Sequence, residues 1–126
     1  IDIEKDISDC AGWQLQVGSM LFKTNTKQEY LRTLAFISIL GYFVSDGHVC
    51  FDITSGRFAG GAYFGHLIDV EMFYNSLKIL CNGLNDWRMV KNSYFIPFPV
   101  NFLKDISQIP GITIGKKIRQ KRYIIS

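Results

Sequence analysis

The sequence predicts an α+β domain in which helices cover one face of an antiparallel sheet. Apolar segments with helical spacing are interspersed with short segments in which apolar and polar residues alternate, and the turns between them are tight. From residue 26 onward the predicted order is helix, hairpin, helix, hairpin, helix, and one further hairpin precedes it. The sheet face turned away from the helices is expected to be polar and open.

The composition fits a single globular domain. The chain has 126 residues, of which 48% are hydrophobic and 20% are charged, enough for a substantial core. Three widely spaced cysteines without a CxxC pair favour an intracellular, reducing compartment over a disulfide framework. Two histidines argue against a His-based zinc site, and no apolar run reaches the about 20 residues that a membrane span needs. No secretory signal or membrane partner is therefore predicted.

Residues 1–25 are predicted to form an N-terminal lead-in and hairpin, and residues 26–126 the main domain. Residues 1–11 are polar and are expected to be irregular. Residues 13–24 alternate in polarity around Gly18-Ser19, which is typical of a β-hairpin. The net charge is +3, and basic residues gather near the C-terminus, where they suit either phosphate contact or a solvated tail.

The first predicted helix runs from Thr26 to about Ser45. Glu29 follows Thr26 at the capping-box spacing, and residues 34–44 are apolar or small except for Ser38. Four small residues share one helical face, which would allow a second backbone to approach closely: Ala35, Ser38, Gly41 and Ser45. Asp46 and Gly47 follow directly. Taken alone, this stretch fits a core helix that ends in an Asp-Gly turn, although a carboxylate beside an apolar run also suits a metal.

Strand alternation separates two sets of residues after Gly47. Val49, Phe51 and Ile53 form the apolar set, and the opposite face carries His48, Cys50, Asp52 and Thr54. A glycine-rich loop with Arg57, a strand at 62–67 and a helix capped by Asp69 come next. The second hairpin spans 87–98 and is followed by a helix at 100–109. The large aromatic residues predicted to lie in the core, rather than to form base-stacking surfaces, are Phe51, Phe73, Phe95, Phe98 and Phe102.

The segment 39–47, ILGYFVSDG, resembles the nine-residue motif that names the LAGLIDADG homing endonucleases. Gly41 stands at the first motif glycine, Asp46 at the catalytic acid and Gly47 at the closing glycine. Val44 stands where the name has its first Asp, a position at which the family accepts other residues. The predicted order αββαββα is similar to that of one LAGLIDADG half, and the resemblance covers residues 26–122.

The basic tail adds to this resemblance. Gly115-Lys116-Lys117, followed by Lys121-Arg122, is similar to a segment that supplies a basic residue near the scissile phosphate in intein-encoded members. The resemblance implies that two motif helices pack side by side through Ala35, Ser38, Gly41 and Ser45. It further implies that Asp46, with Gly47, contributes half of a Mg²⁺ site, and that Lys116 or Lys117 stabilises the transition state.

The resemblance also implies a saddle-shaped sheet that lies in the major groove of double-stranded DNA. The residues that would contact DNA are His48, Cys50, Asp52, Thr54, Arg57, Arg88, Lys91, Asn92, Arg119, Lys121 and Arg122. The implied function is hydrolysis of phosphodiester bonds at a specific DNA site. Because the chain has one motif and such a site needs two acids, a homodimer or a second half in a longer chain is required. The stop after the basic segment and the missing initiator Met favour a fragment of a longer protein.

Two other functions fit the same residues. One is a non-catalytic nucleic-acid-binding module on the same fold, such as a maturase-like RNA-splicing factor or a DNA-binding regulator. The other is an insertion that is merely tolerated within a larger protein. A complete intein is excluded, because Ile1 is neither Cys nor Ser and no terminal His-Asn pair is present.

Overall fold

The computed structural model describes residues 3–45, 48–52, 59–109 and 121–124, with side chains at 3–42 and 60–109. The helices are α1 Ile3–Asp9, α2 Lys27–Ser45, α3 Leu67–Leu80 and α4 Val100–Ile106. The strands are β1 Gln14–Val17, β2 Met20–Lys23, β3 His48–Asp52, β4 Ala59–Phe64, β5 Arg88–Val90, β6 Ser93–Pro97 and β7 Lys121–Ile124. Within these residues no helix is long and apolar enough to cross a bilayer.

The strands form two antiparallel sheets. The hairpin β1-β2 is separate, and the larger sheet has the order β5-β6-β4-β3-β7. The predicted α+β class is therefore confirmed. The predicted series helix, hairpin, helix, hairpin, helix corresponds to α2, β3-β4, α3, β5-β6 and α4.

Four local predictions were wrong. The lead-in is helical over Ile3–Asp9, where acidic residues in the first turn stabilise the helix through its dipole. β4 begins at residue 59, inside the predicted loop, and α3 begins at Leu67 with His66 rather than Asp69 at its N-cap. The last helix ends at Ile106, three residues before the predicted end. The fifth strand of the larger sheet, β7, was not predicted.

The start of α2 follows the predicted capping box. The backbone N–H of Glu29 donates to Thr26 Oγ1 at 3.1 Å, and the Thr26 N–H donates to Glu29 Oε1 at 3.1 Å. Two N–H groups that the helix cannot satisfy thereby gain partners. The helix then continues for 19 residues to Ser45.

The N-terminal hairpin shares the core of the rest of the chain. Val17, Met20 and Phe22 belong to one buried cluster with Phe36 and residues of α3, α4 and the larger sheet. The rings of Phe22 and Phe36 stack with centroids 4.4 Å apart. Side chains from both sides of residue 25 are therefore packed together in one core. The division of the chain at residue 25 stays a prediction from sequence.

A buried carboxylate fastens this hairpin to α4. Asp105 accepts hydrogen bonds from the Ser19 backbone N–H and from Ser19 Oγ, both at 2.7 Å. Gly18 has a φ of 57°, and a Cβ there would lie 2.7 Å from the Asp105 Cα. Glycine is therefore required by both the turn and the close approach.

The two faces of the larger sheet differ less in polarity than predicted. Ala62, Phe64 and Ile96 are buried against the helices, as alternation requires. Phe95 is also buried, but it lies on the opposite face, paired with Tyr63, and it is not part of the core cluster. The open face was predicted to be polar, and Tyr63 and Phe95 make part of it aromatic. Phe95 is buried as predicted, but on this face rather than against the helices. Phe73, Phe98 and Phe102 are core residues as predicted, and the Phe51 side chain lies outside the described part.

Candidate helix seam and nucleic-acid face

Helix α2 leaves one apolar side uncovered by the described part of the chain. Leu34 and Ile37 are 41% and 52% exposed, and Ser38 and Gly41 are exposed between them. These positions follow helical spacing and therefore form one face, the outward face of α2. A Cβ built on Gly41 meets nothing within 4 Å. The face is thus flat enough for another backbone to approach.

The predicted small-residue stripe is only partly on this face. Ser38 and Gly41 are exposed, whereas Ala35 is buried within the chain. The side chain of Ser45 lies outside the described part. Leu34 and Ile37, which the sequence did not single out, complete the face.

A cleft of about 280 Å³ lies beside this face, between α2 and α3. It is lined by Ser38, Gly41, Tyr42, Met72 and Ser76. Burial, and then the negative charge of Asp69, raises the pKa of the Tyr42 phenol above its ordinary value. The phenol therefore stays neutral at physiological pH, so the cleft presents hydroxyl, thioether and backbone groups rather than charges.

The residues predicted to perform chemistry lie outside the described part: Asp46, Gly47, Lys116 and Lys117. In sequence, Asp46 and Gly47 join the end of α2 at Ser45 to the start of β3 at His48. In the described part of the chain, no three His, Cys, Asp or Glu residues come together. The predicted Mg²⁺ site takes one acid from each half, so a cluster of three within one half is not what it requires.

The register of the larger sheet defines its open face. Paired positions run directly across all five strands in one row, namely Arg88, Phe95, Tyr63, His48 and Ile124. A second row on the same face contains Pro97, Gly61, Cys50 and Arg122. Because directly paired positions share a face, these two rows and Asp52, opposite Ala59, belong to the open side.

The predicted DNA-binding residues divide into three sets by this register. His48, Cys50, Asp52, Arg88 and Arg122 occupy open-face positions. Lys91 and Asn92 are exposed in the turn between β5 and β6, where Lys91 has a φ of 56°. Lys121 pairs with Phe51, which puts its position in a row on the helix side. The remaining three lie outside the described part: Thr54, Arg57 and Arg119.

Sequence reasoning missed an aromatic cluster on the open face. The rings of Tyr63 and Phe95 have centroids 4.7 Å apart, and the Arg88 guanidinium lies over the Phe95 ring with Cζ 5.0 Å from its centroid. The Phe95 ring packs against the β4 backbone, because a Cβ on Gly61 would lie 2.7 Å from it. The signal was present in the dipeptides at 63–64 and 94–95. Two consecutive aromatics in a strand must point to opposite faces.

No match to this chain was found among models of known protein families, among curated proteins or among solved structures. The resemblance to the LAGLIDADG endonucleases therefore rests on the motif residues, the order of elements and the basic tail.

Proposed function

We propose that the chain is one half of a LAGLIDADG-type DNA endonuclease, and that two copies pair through the outward face of α2. The observation that carries the proposal is the position of the motif. Residues 39–47 close a helix whose exposed side is small and apolar, at the start of an αββαββα series. Motif, helix face and order of elements agree with one another.

Helix pairing has a direct physical rationale. Leu34 and Ile37 are about half exposed, so burying what remains would stabilise the pair by about 1 kcal/mol each. Ser38 and Gly41 lie between them and let two helices approach closely, so that dispersion contacts form along the whole seam. A second copy of the same face supplies a self-complementary surface, as two-fold symmetry requires. Parallel pairing, with the two-fold axis along the helices, would also bring the two copies of Asp46 to the same end of the seam.

The donor type at the end of α2 suits a hard divalent cation. Asp46 supplies a carboxylate, and Gly47 supplies a backbone carbonyl without a side chain that could block approach. Such a cation, when bound, activates water and neutralises charge on a phosphodiester. Lys116 and Lys117 would add positive charge toward the phosphate, and Asp46 would hold the cation in place.

The open face of the sheet is the proposed DNA contact surface. A major groove is about 12 Å wide and admits a two-stranded ribbon. Arg88, Lys91 and Asn92 provide donors at the β5-β6 end, and His48, Cys50, Asp52 and Arg122 occupy positions farther along the same face. Thr54, Arg57 and Arg119 belong to the proposal as predicted from sequence. Lys121, also predicted to contact DNA, occupies a helix-side position opposite Phe51 and is left out of this surface.

Cleavage of a randomised duplex library tests this function. The full chain is incubated with the library and Mg²⁺, and newly formed DNA ends are sequenced. We expect ends at one recurrent sequence, lost in Asp46→Asn, because the amide removes a negatively charged ligand. Asp9→Asn, an exposed acid at the end of α1, is the matched control and should cut like the native chain.

Two outcomes would contradict the proposal. Recurrent ends that persist in Asp46→Asn would exclude the motif acid from the reaction. Sequence-specific DNA binding without any cleavage would instead favour a regulator on the same fold.

A further inference from the structure

We propose that the open face of the larger sheet carries a stacking platform for unpaired nucleotides, formed by Tyr63 and Arg88 and supported by the ring of Phe95. Bases of single-stranded RNA or DNA are the ligand class. The inference rests on the aromatic cluster alone and does not depend on DNA cleavage.

The platform occupies neighbouring strands in the middle and at the edge of the sheet. Arg88 pairs with Phe95, and Phe95 pairs with Tyr63, so the three side chains cross β5, β6 and β4 in one row. Neighbouring strands lie about 4.8 Å apart, which sets the spacing of the row. Antiparallel sheets that have helices on one face and aromatics on the other are used in this way to stack two or three unpaired bases.

Phe95 is the residue that supports the platform. It is 9% exposed, so it offers little surface of its own. Its ring contacts Tyr63 on one side and lies under the Arg88 guanidinium, 5.0 Å away. The ring also packs closely over the β4 backbone at Gly61, where a Cβ would lie 2.7 Å from it. Tyr63 and Arg88 therefore contact this ring before any ligand binds, and such preorganisation lowers the entropy lost on binding.

Arg88 and Tyr63 present the surfaces that a base can use. Arg88 is exposed although its guanidinium lies over a ring, and Tyr63 is partly exposed. Guanidinium planes and phenol rings both stack on nucleobases. Lys91, exposed in the adjacent turn, adds a positive charge for the phosphates.

The charge of this face agrees with a polyanionic ligand. Among open-face positions with described side chains there is no acid: Gly61, Tyr63, Arg88, Val90, Ser93, Phe95 and Pro97. Asp52 occupies an open-face position four residues along β3 from His48, or about 13 Å at strand spacing. The Asp52 position is therefore far enough from the platform row that a carboxylate there would repel a bound phosphate only weakly.

Unpaired bases fit the stacking platform, which is one part of the open face, better than a duplex does. Within a duplex each base is covered on both faces by its neighbours, and only its edges are displayed in the grooves. A tyrosine ring on a sheet can stack only on a base whose face is free. The platform therefore selects single strands, and the shared ligand chemistry is the π-face of the base rather than its sequence.

Fluorescence anisotropy with labelled oligonucleotides tests the platform on the full chain. Three probes have one mixed sequence of 12 nucleotides: single-stranded RNA, single-stranded DNA and the DNA duplex. We expect a single strand to bind more tightly than the duplex at the same salt concentration, and the stronger of the two strands identifies the sugar preference. Tyr63→Ala should weaken that binding by about 5- to 100-fold, because one stacked base is lost.

Matched variants separate stacking from folding and from charge. Tyr63→Phe keeps the ring and should bind within about twofold of the native chain, whereas Tyr63→Leu keeps apolar volume without a π-face and should bind as weakly as Tyr63→Ala. The controls come from a similar pair on α3, where Lys78 Nζ lies 5.0 Å from the Tyr74 ring centroid. Tyr74→Ala and Lys78→Gln should leave binding unchanged, whereas Arg88→Gln should weaken it.

The platform is overturned if folded Tyr63→Leu binds single strands like the native chain, or if the non-cognate duplex binds as tightly as either strand. Neither result bears on duplex cleavage, which is scored separately by Asp46→Asn. The two proposals can therefore fail independently.

Discussion

Helix α2 has apolar residues on two sides that differ in what covers them. On the inward side Phe36 and Ile39 are 1% and 0% exposed, packed with the N-terminal hairpin and the rest of the core. On the outward side Leu34 and Ile37 remain open, and Ser38 and Gly41 lie between them. Residues 33–45 carry no charge at all. The core of this chain accounts for the apolar residues of the inward side, and the proposed helix pairing would account for those of the outward side.

Truncation of the inward side should cause the largest loss of stability. Phe36→Ala removes a ring that stacks on Phe22, and should lower the free energy of unfolding by about 3–5 kcal/mol. Ile37→Ala, the adjacent outward residue, should cost less than about 1 kcal/mol in the monomer. Urea unfolding of dilute protein measures both. Equal losses would remove the distinction between the two sides.

The hydrogen bonds from Ser19 to Asp105 hold the N-terminal hairpin over the inward side of α2, and their removal should cause the next largest loss of stability. Asp105→Ala leaves the Ser19 N–H and hydroxyl without their acceptor, and should cost about 2–3 kcal/mol. Lys104→Ala, an exposed neighbour on α4, is the control and should change little. If Asp105→Ala unfolds at the same urea concentration as the native chain, the hairpin is held by apolar packing alone.

Gly41 should respond in the opposite direction to the inward residues. Because its Cβ position is open, Gly41→Ala should raise monomer stability by about 0.5–1 kcal/mol through helix propensity. The same methyl groups would separate two paired helices and weaken the dimer. Unfolding at low protein concentration and association at high concentration measure the two effects separately. A gain in both would show that the outward face is not a seam.

The smallest effect concerns Cys81, at the end of α3 and packed against the inward core. Burial raises the pKa of its thiol to about 11. The folded state therefore holds this proton more tightly than the unfolded state does. The associated stability is fully present below the ordinary thiol pKa and is lost as the pH rises toward about 11. Alkylation by iodoacetamide, located by mass spectrometry, should be slow at Cys81 near neutral pH and accelerate up to about pH 11. Rapid alkylation at pH 7 would contradict the burial.

Local signals in the sequence were sufficient for much of the fold. The Thr26–Glu29 capping box, the Gly18-Ser19 turn and the alternation that puts Val49 opposite Ala62 each depend on residues close in sequence. Long-range choices were not readable. The hydrogen bond between Ser19 and Asp105 joins residues that are 86 positions apart. Likewise, β7 pairs with β3, which is far from it in sequence, so no local pattern could predict that pairing.

The candidate site was only partly predictable for the same reason. Alternation placed His48, Cys50 and Asp52 of β3 on one face, and the register agrees, whereas the apolar character of Phe95 predicted burial without showing on which face. Its neighbour Tyr94 takes the inward position instead, which register alone decides. Similarly, the spacing of small residues predicted a common face, yet Ala35 is covered by the chain itself.

The mass of the full chain in solution, measured by sedimentation equilibrium over a range of concentrations, tests the central claim most directly. The proposed seam predicts a monomer–dimer equilibrium, and a shift to monomer in Gly41→Leu, which adds bulk to the outward face without disturbing the inward core. Gln28→Leu, an equally exposed change in the first turn of α2, should still dimerise. A native chain that stays monomeric at the highest concentrations, with and without duplex DNA and Mg²⁺, would contradict the account.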